Sequence, residues 1–139
     1  MAETIQLEIV TPERLVVNTV ASEILIPGKG GYLGILPGHA PLITEIAVGE
    51  ITYRSGSGSD NAQKRLAVAW GFAEVLPEKV TILAETAERA EDIDVARAQA
   101  ARQRAEEELR QAGPAGSSEA ESALKRASAR LDVAGKAGS

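Results

Sequence analysis

The sequence predicts an all-β N-terminal sandwich of about ten strands followed by a C-terminal antiparallel α-helical hairpin. Three observations carry this. Residues 1–87 hold 24 Val, Ile and Thr, whereas residues 88–139 hold three: Ile93, Val95 and Val133. Alanine runs the other way, with 14 in the last 52 positions. Five of six prolines and nine of 13 glycines fall in the first part. β-Branched side chains suit pleated strands, alanine is the strongest helix former, and Pro and Gly punctuate short strands. The composition break lies between Ala87 and Glu88, which divides the chain into domains 1–87 and 88–139.

In the first domain the strands read as Thr4–Val10, Arg14–Val20, Glu23–Ile26, Tyr32–Leu36, Leu42–Ile46, Glu50–Arg54, Lys64–Ala69, Gly71–Leu76 and Lys79–Ala84. Ile5, Leu7 and Ile9 alternate with Gln6 and Glu8, the signature of a strand with one face buried. Thr11-Pro12, Pro27-Gly28, Pro37-Gly38, Gly49 and Pro77 separate the strands, and Ser55–Asn61 reads as a flexible hairpin tip.

In the second domain Asp92 is the expected N-cap of a helix from Ile93 to about Gln111, stopped by Gly113-Pro114. Ser118-Glu119-Ala120-Glu121 fits a capping box opening a second helix, which Gly135 ends. A short turn between two helices makes an antiparallel hairpin. Its apolar face is thin: beyond alanine it offers Ile93, Val95, Leu109, Leu124, Leu131 and Val133. Such a hairpin is either stably docked through its alanines or held weakly enough to move.

Composition removes several function classes. The balance of 15 basic and 20 acidic residues gives −5, which argues against a nucleic-acid or anionic-membrane binder. The absence of cysteine excludes disulfides, thiolate metal sites and thiol catalysis, and a single histidine excludes multi-histidine schemes. No apolar run is long enough to span a bilayer, and Met1–Thr4 does not begin a signal segment.

Three motifs invite a functional interpretation. Gly28-Lys29-Gly30-Gly31-Tyr32-Leu33-Gly34 is glycine-rich, yet it lacks the Lys-Ser/Thr pair and following helix of a phosphate loop, so a turn entering a strand is expected. His39, within Leu36-Pro37-Gly38-His39-Ala40-Pro41, has no Gly-x-Ser-x-Gly elbow to serve, which favours a contact role in a rigid loop over catalysis. In the helical part Asp94, Arg97 and Arg104 share one face, and Arg126 and Arg130 share another. Closed together, these arginines would hold a polyphosphate beside an acidic group. Left in solvent, they are ordinary helix ion pairs.

The segments Gly31–Leu42, Gly71–Val75, Val80–Ala84, Ala87–Ala98, Leu124–Ala127 and Arg130-Leu131, in this order, resemble the bacterial F-type ATP synthase epsilon subunit along essentially the whole chain. The resemblance implies a ten-stranded sandwich with a helical hairpin, and a non-catalytic rotor subunit of the central stalk. It implies contacts with the gamma subunit and the c-subunit ring, and contact with the alpha/beta catalytic head through an extended, inhibitory hairpin. Tyr32, Leu33 and His39 fall in the loops implied to touch partners, Tyr32 standing where the family often has Glu. Ile93-Asp94-Val95-Ala96-Arg97-Ala98 matches an ATP-binding motif of some epsilon subunits, with Glu88, Arg104, Arg126 and Arg130 at the accompanying positions. ATP is then a regulatory ligand, with no cofactor required. The implied location is peripheral, on the cytoplasmic face of the bacterial plasma membrane, attached through the complex. The competing functions are a stand-alone nucleotide sensor and an unrelated β-sandwich binding or hydrolytic module.

Overall fold

A computed structural model describes residues 4–55 and 62–137. The described strands are β1 (Ile5–Val10), β2 (Leu15–Ala21), β3 (Glu23–Gly28), β4 (Gly31–Ile35), β5 (Leu42–Ile46), β6 (Gly49–Arg54), β7 (Gln63–Val75) and β8 (Lys79–Arg89). A 3-10 turn at Ala90–Asp92 leads to α1 (Val95–Ala112), and a second at Gly113–Ala115 leads to α2 (Ser118–Ala137). The hairpin tip expected at Ser55–Asn61 lies, apart from Ser55, outside the described residues.

The strands number eight among the described residues: of the nine placed on the sequence, the two expected at Lys64–Ala69 and Gly71–Leu76 are one long strand. The first half of β7 pairs antiparallel with β6 (Ile51 opposite Leu66) and the second half with β5 (Thr44 opposite Ala73). The transfer happens at Trp70 and Gly71. Trp70 has φ 46°, and Gly71 has φ 154° with no room for a side chain, since a Cβ there would stand 1.9 Å from the Leu83 carbonyl oxygen. Only glycine accommodates that backbone and that approach. β8 follows β7 through the bend, and its first half also pairs in parallel with β1.

The hydrogen-bonded sheet therefore folds over on itself into a sandwich. One layer holds β2, β1, the start of β8, the end of β7 and β5. The other holds β4, β3, β6, the start of β7 and the end of β8. Ile5, Leu7, Ile9, Ile24, Ile26, Ile35, Ile51, Leu66 and Ile82 are fully buried between them. Each such side chain contributes roughly 1.5–3 kcal/mol by leaving water. β8 runs to Arg89, two residues past the composition break.

The helices form the expected hairpin, but their caps are shifted. Asp94, not Asp92, is the N-cap of α1: its carboxylate accepts the Arg97 backbone N–H at 3.0 Å. Ile93 is thus outside α1, in extended backbone closing the preceding turn. Ser117, not Ser118, caps α2 by accepting the Ala120 N–H at 3.1 Å. Counted from Ser117, the third helical residue is Ala120, so no reciprocal capping box forms. Gly135 does not end α2, which continues to Ala137. Gly113, at φ 63°, does terminate α1.

Candidate functional site

α1 packs along α2, and α2 packs on the outer face of β6 and β7. The helix pair meets through Ala98, Ala105, Ala120 and Ala127, all buried. Each helix repeats alanine after seven residues, which keeps it on one face and lets the backbones approach closely. Docking of α2 rests on a small cluster in which Val133 and Ile93 meet Ala67, with Ala90 and Ala134 at its edge.

Three basic side chains of α2 make polar contacts beside that cluster. The Arg126 guanidinium lies over the Trp70 ring, 5.3 Å from its centroid. Arg130 donates through Nε to the Glu88 carboxylate on β8. Lys136 reaches Glu50 on β6 at 3.4 Å and Asp132 at 3.1 Å. The hydrogen bond with Asp132 and then the charge of Glu50 raise the Lys136 pKa above the ordinary lysine value.

Where α1 leaves the sandwich, a cleft of about 540 Å³ opens between α1, the end of β8 and the turn joining β1 to β2. It is lined by Glu88, Asp94, Arg97, Ala98, Arg104 and Arg130, six of the eight residues expected to serve a nucleotide. The other two are elsewhere. Ile93 is buried in the Val133 cluster, because β8 and the turn after it carry its side chain inward. Arg126 points to Trp70, one turn of α2 before Arg130, over the bend of β7 rather than beside Glu88 at the end of β8.

The cleft also holds residues that the sequence did not mark for it. Thr11, Glu13 and Arg14 come from the β1–β2 turn, and Glu85, Thr86 and Asp92 from β8 and beyond. Nothing local signals their convergence with α1; only the parallel pairing of β1 with β8 brings the turn there. Within the cleft Glu88 and Arg130 neutralise each other, and Asp94 spends one carboxylate oxygen on its cap. Among the described residues, no group of three or more His, Asp or Glu is placed to hold a metal ion.

The residues expected at partner contacts are seated on different elements. Lys29-Gly30 is the tight turn between β3 and β4, a hairpin rather than a phosphate cradle. Tyr32 is exposed, and its hydroxyl accepts the Glu50 N–H at 3.0 Å. Leu33 packs half-buried against the core. His39 closes a turn, its N–H donating to Leu36 O at 3.1 Å, and that turn is tied to Pro77 by the Gly38 N–H at 2.8 Å.

A further surface escaped the sequence analysis. Ile43, Phe72 and Leu83 are exposed on β5, β7 and β8, with Phe72 directly opposite Leu83. They form a shallow apolar groove on the outer face of the layer away from the hairpin. Each appeared in the sequence as one apolar residue in a short strand, and only the register makes them a patch.

Two family models together match residues 4–135. The β-sandwich domain of the ATP synthase delta/epsilon chain matches residues 4–90, and its long α-helix domain matches residues 91–135. The chain belongs to the ATP synthase delta/epsilon family. The ATP synthase epsilon chain of Koribacter versatilis is 64% identical over 114 residues, covering 82% of this chain and 78% of that one. The ATP synthase epsilon chain of Moorella thermoacetica is 50% identical over 133 residues, covering 95% and 97%. A chain of the Euglena gracilis mitochondrial ATP synthase OSCP/F1/c-ring structure has the same fold, with a TM-score of 0.79 at 21% identity over 96% of this chain and 82% of that one. This protein is accordingly an epsilon subunit of the F-type ATP synthase central stalk, regulatory or structural rather than catalytic. That sets aside the unrelated sandwich module and the stand-alone sensor. No helix among the described residues is long and apolar enough to cross a membrane.

Proposed function

We propose that the hairpin is the regulatory element of this subunit and that ATP is its ligand, bound in the cleft between α1 and the sandwich. The observation that carries this is the convergence of Asp94, Arg97, Arg104, Glu88 and Arg130 on one cleft, from α1, β8 and α2. Asp94 and Glu88 offer acceptors to a base or ribose, and the arginines offer forked donors to phosphates. A ligand that contacts both the hairpin and the sandwich binds only the docked form. It shifts the population away from a released hairpin by its difference in affinity for the two.

In the same proposal the sandwich carries the rotor contacts. The gamma subunit covers the Ile43, Phe72 and Leu83 groove, an apolar surface of the kind that a permanent partner buries. The exposed Tyr32 turn and the His39 turn contact the c-subunit ring and gamma. The released hairpin reaches the alpha/beta head and inhibits hydrolysis. Its candidates for that contact are Arg102, Arg104, Lys125, Arg126 and Arg130. The subunit then sits on the cytoplasmic face of the bacterial membrane, attached by the complex alone.

Calorimetric titration of the chain with ATP, with and without magnesium, tests the ligand. Saturable binding, weakened in Arg104→Ala, supports the proposal. No heat and no thermal stabilisation up to millimolar ATP would refute it. For regulation, the complex is assembled with the full chain or with one ending at Ala90. Faster hydrolysis with the shortened chain is the expected result.

A further inference from the structure

We propose that Arg14, on the sandwich, binds the phosphates of the cleft ligand together with Arg97 and Arg104. On this proposal a bound nucleoside triphosphate fastens α1 directly to the β-domain. The inference rests on the nucleotide function proposed above and adds to it a residue, and a consequence for the hairpin, that no motif in the helices contains.

Arg14 is held where it can act. The Thr11 N–H donates to the Arg14 carbonyl at 2.9 Å, and the Arg14 N–H donates to Thr11 Oγ1 at 3.3 Å. The backbone of the turn is thereby fixed while the side chain stays exposed and lines the cleft. The cleft's arginines fall into two kinds. Arg130 is committed to Glu88. The side chains of Arg14, Arg97 and Arg104 make no hydrogen bond or ion pair among the described residues. Three guanidinium groups without protein partners, converging from a strand turn and a helix, remain available for an outside anion.

The anion is a chain of phosphates rather than a single one. Arg97 and Arg104 stand two turns apart, about 10.5 Å along the helix axis. Ala98, Ala100 and Ala101 floor the cleft with methyl groups alone, leaving space between the charges. Glu13, Glu85 and Asp92 also line it, so a small anion meets carboxylates as readily as arginines. A ligand with several linked charges engages three forks at once and outweighs that repulsion. The mechanical consequence follows from the packing. α1 rests chiefly on α2 and not on the strands, so the ligand supplies the tie between α1 and the sandwich.

The test uses the full chain with ATP and, separately, inorganic tripolyphosphate as probes, in wild type, Arg14→Ala, Arg14→Lys and Arg104→Ala. Thermal melts without ligand check that the exposed Arg14→Ala change leaves the fold intact. We expect Arg14→Ala to weaken both probes about tenfold and to flatten the salt dependence of binding, and Arg14→Lys to recover part of the loss. Hydrogen exchange adds a readout specific to the tie: saturating ATP slows exchange of α1 amides in wild type and does so less in Arg14→Ala. Equal affinity and equal α1 protection in Arg14→Ala, with Arg104→Ala still impaired, would overturn the role of Arg14 and leave the nucleotide cleft standing. Absence of ATP binding by the wild type would overturn both.

Discussion

The two halves of the chain bury very different material. Between the sandwich layers lie whole isoleucine, leucine and valine side chains, most of them without measurable exposure. Between the helices lie Ala98, Ala105, Ala120 and Ala127, and beneath α2 the sandwich meets one valine, one isoleucine and a few alanines. A buried alanine methyl gains far less than the roughly 1.5–3 kcal/mol of a buried Leu or Ile. The sandwich therefore holds most of the buried apolar surface, and the hairpin is attached through far less. The proposed regulation needs the first to stay rigid and the second to move.

Ile82 gives the largest expected effect. It is fully buried in the first half of β8, between Ile9 of β1 and Ala73 of β7. Ile82→Ala should lower sandwich stability by about 2–5 kcal/mol, read as a fall in denaturation midpoint. Val133→Ala makes the contrasting change, removing two buried carbons from the docking cluster. It should cost about 1–2 kcal/mol of docking and speed α2 amide exchange, with the sandwich midpoint nearly unchanged. If Val133→Ala lowers that midpoint as much as it loosens α2, the two halves unfold as one unit and the contrast is wrong.

Arg126 comes next, and it is also where the sequence misled. Its spacing from Arg130 puts it on the expected nucleotide face, but one turn earlier on α2 the neighbour is Trp70 at the β7 bend, not Glu88. A cation over a half-buried indole contributes about 0.5–2 kcal/mol. Arg126→Ala should change the emission of Trp70, the one tryptophan of the chain, and loosen α2 by about that amount. ATP affinity should change far less than in Arg104→Ala. A loss as large as that of Arg104→Ala would return Arg126 to the cleft.

What the sequence disclosed followed from what is local. The period-2 pattern of Ile5, Leu7 and Ile9, the alanine-rich tail and Gly113-Pro114 each act within a few residues, so strands, helices and their junction were legible. The Trp70–Gly71 bend was read as a strand break, because a glycine in a strand run looks the same whether the strand ends or turns a corner. Asp92 and Asp94 compete for one cap two residues apart, and the 3-10 turn over Ala90–Asp92 decides between them. Arg14, and the patch of Ile43, Phe72 and Leu83, depend on strand register and on the β1–β8 pairing, which no local pattern encodes. The cleft is thus half legible: its α1 wall from helical spacing and Glu88 from the family resemblance, the Thr11–Arg14 turn not at all.

The smallest effect belongs to the far end of the hairpin, at Glu107 and Arg110. Arg110 donates to Glu107 from one turn away, and this hydrogen bond, with the guanidinium charge behind it, lowers the Glu107 pKa from the ordinary 4.5. A carboxylate whose folded pKa is depressed stabilises the fold above its unfolded pKa, and the contribution is lost as pH falls through the folded value. In the wild type, the support this pair gives to the last turns of α1 is present at neutral pH and fades below about 4.5. Glu107→Gln removes the charge at every pH. The two chains should therefore differ slightly in α1 amide exchange at neutral pH and converge once the pH has fallen through the folded Glu107 pKa. Because both side chains are solvent-exposed, salt should shrink the difference as well. A difference that persists in acid would assign the effect to helix propensity rather than to the pair. The end of the hairpin would then be held by packing on α2 alone, as the rest of α1 is.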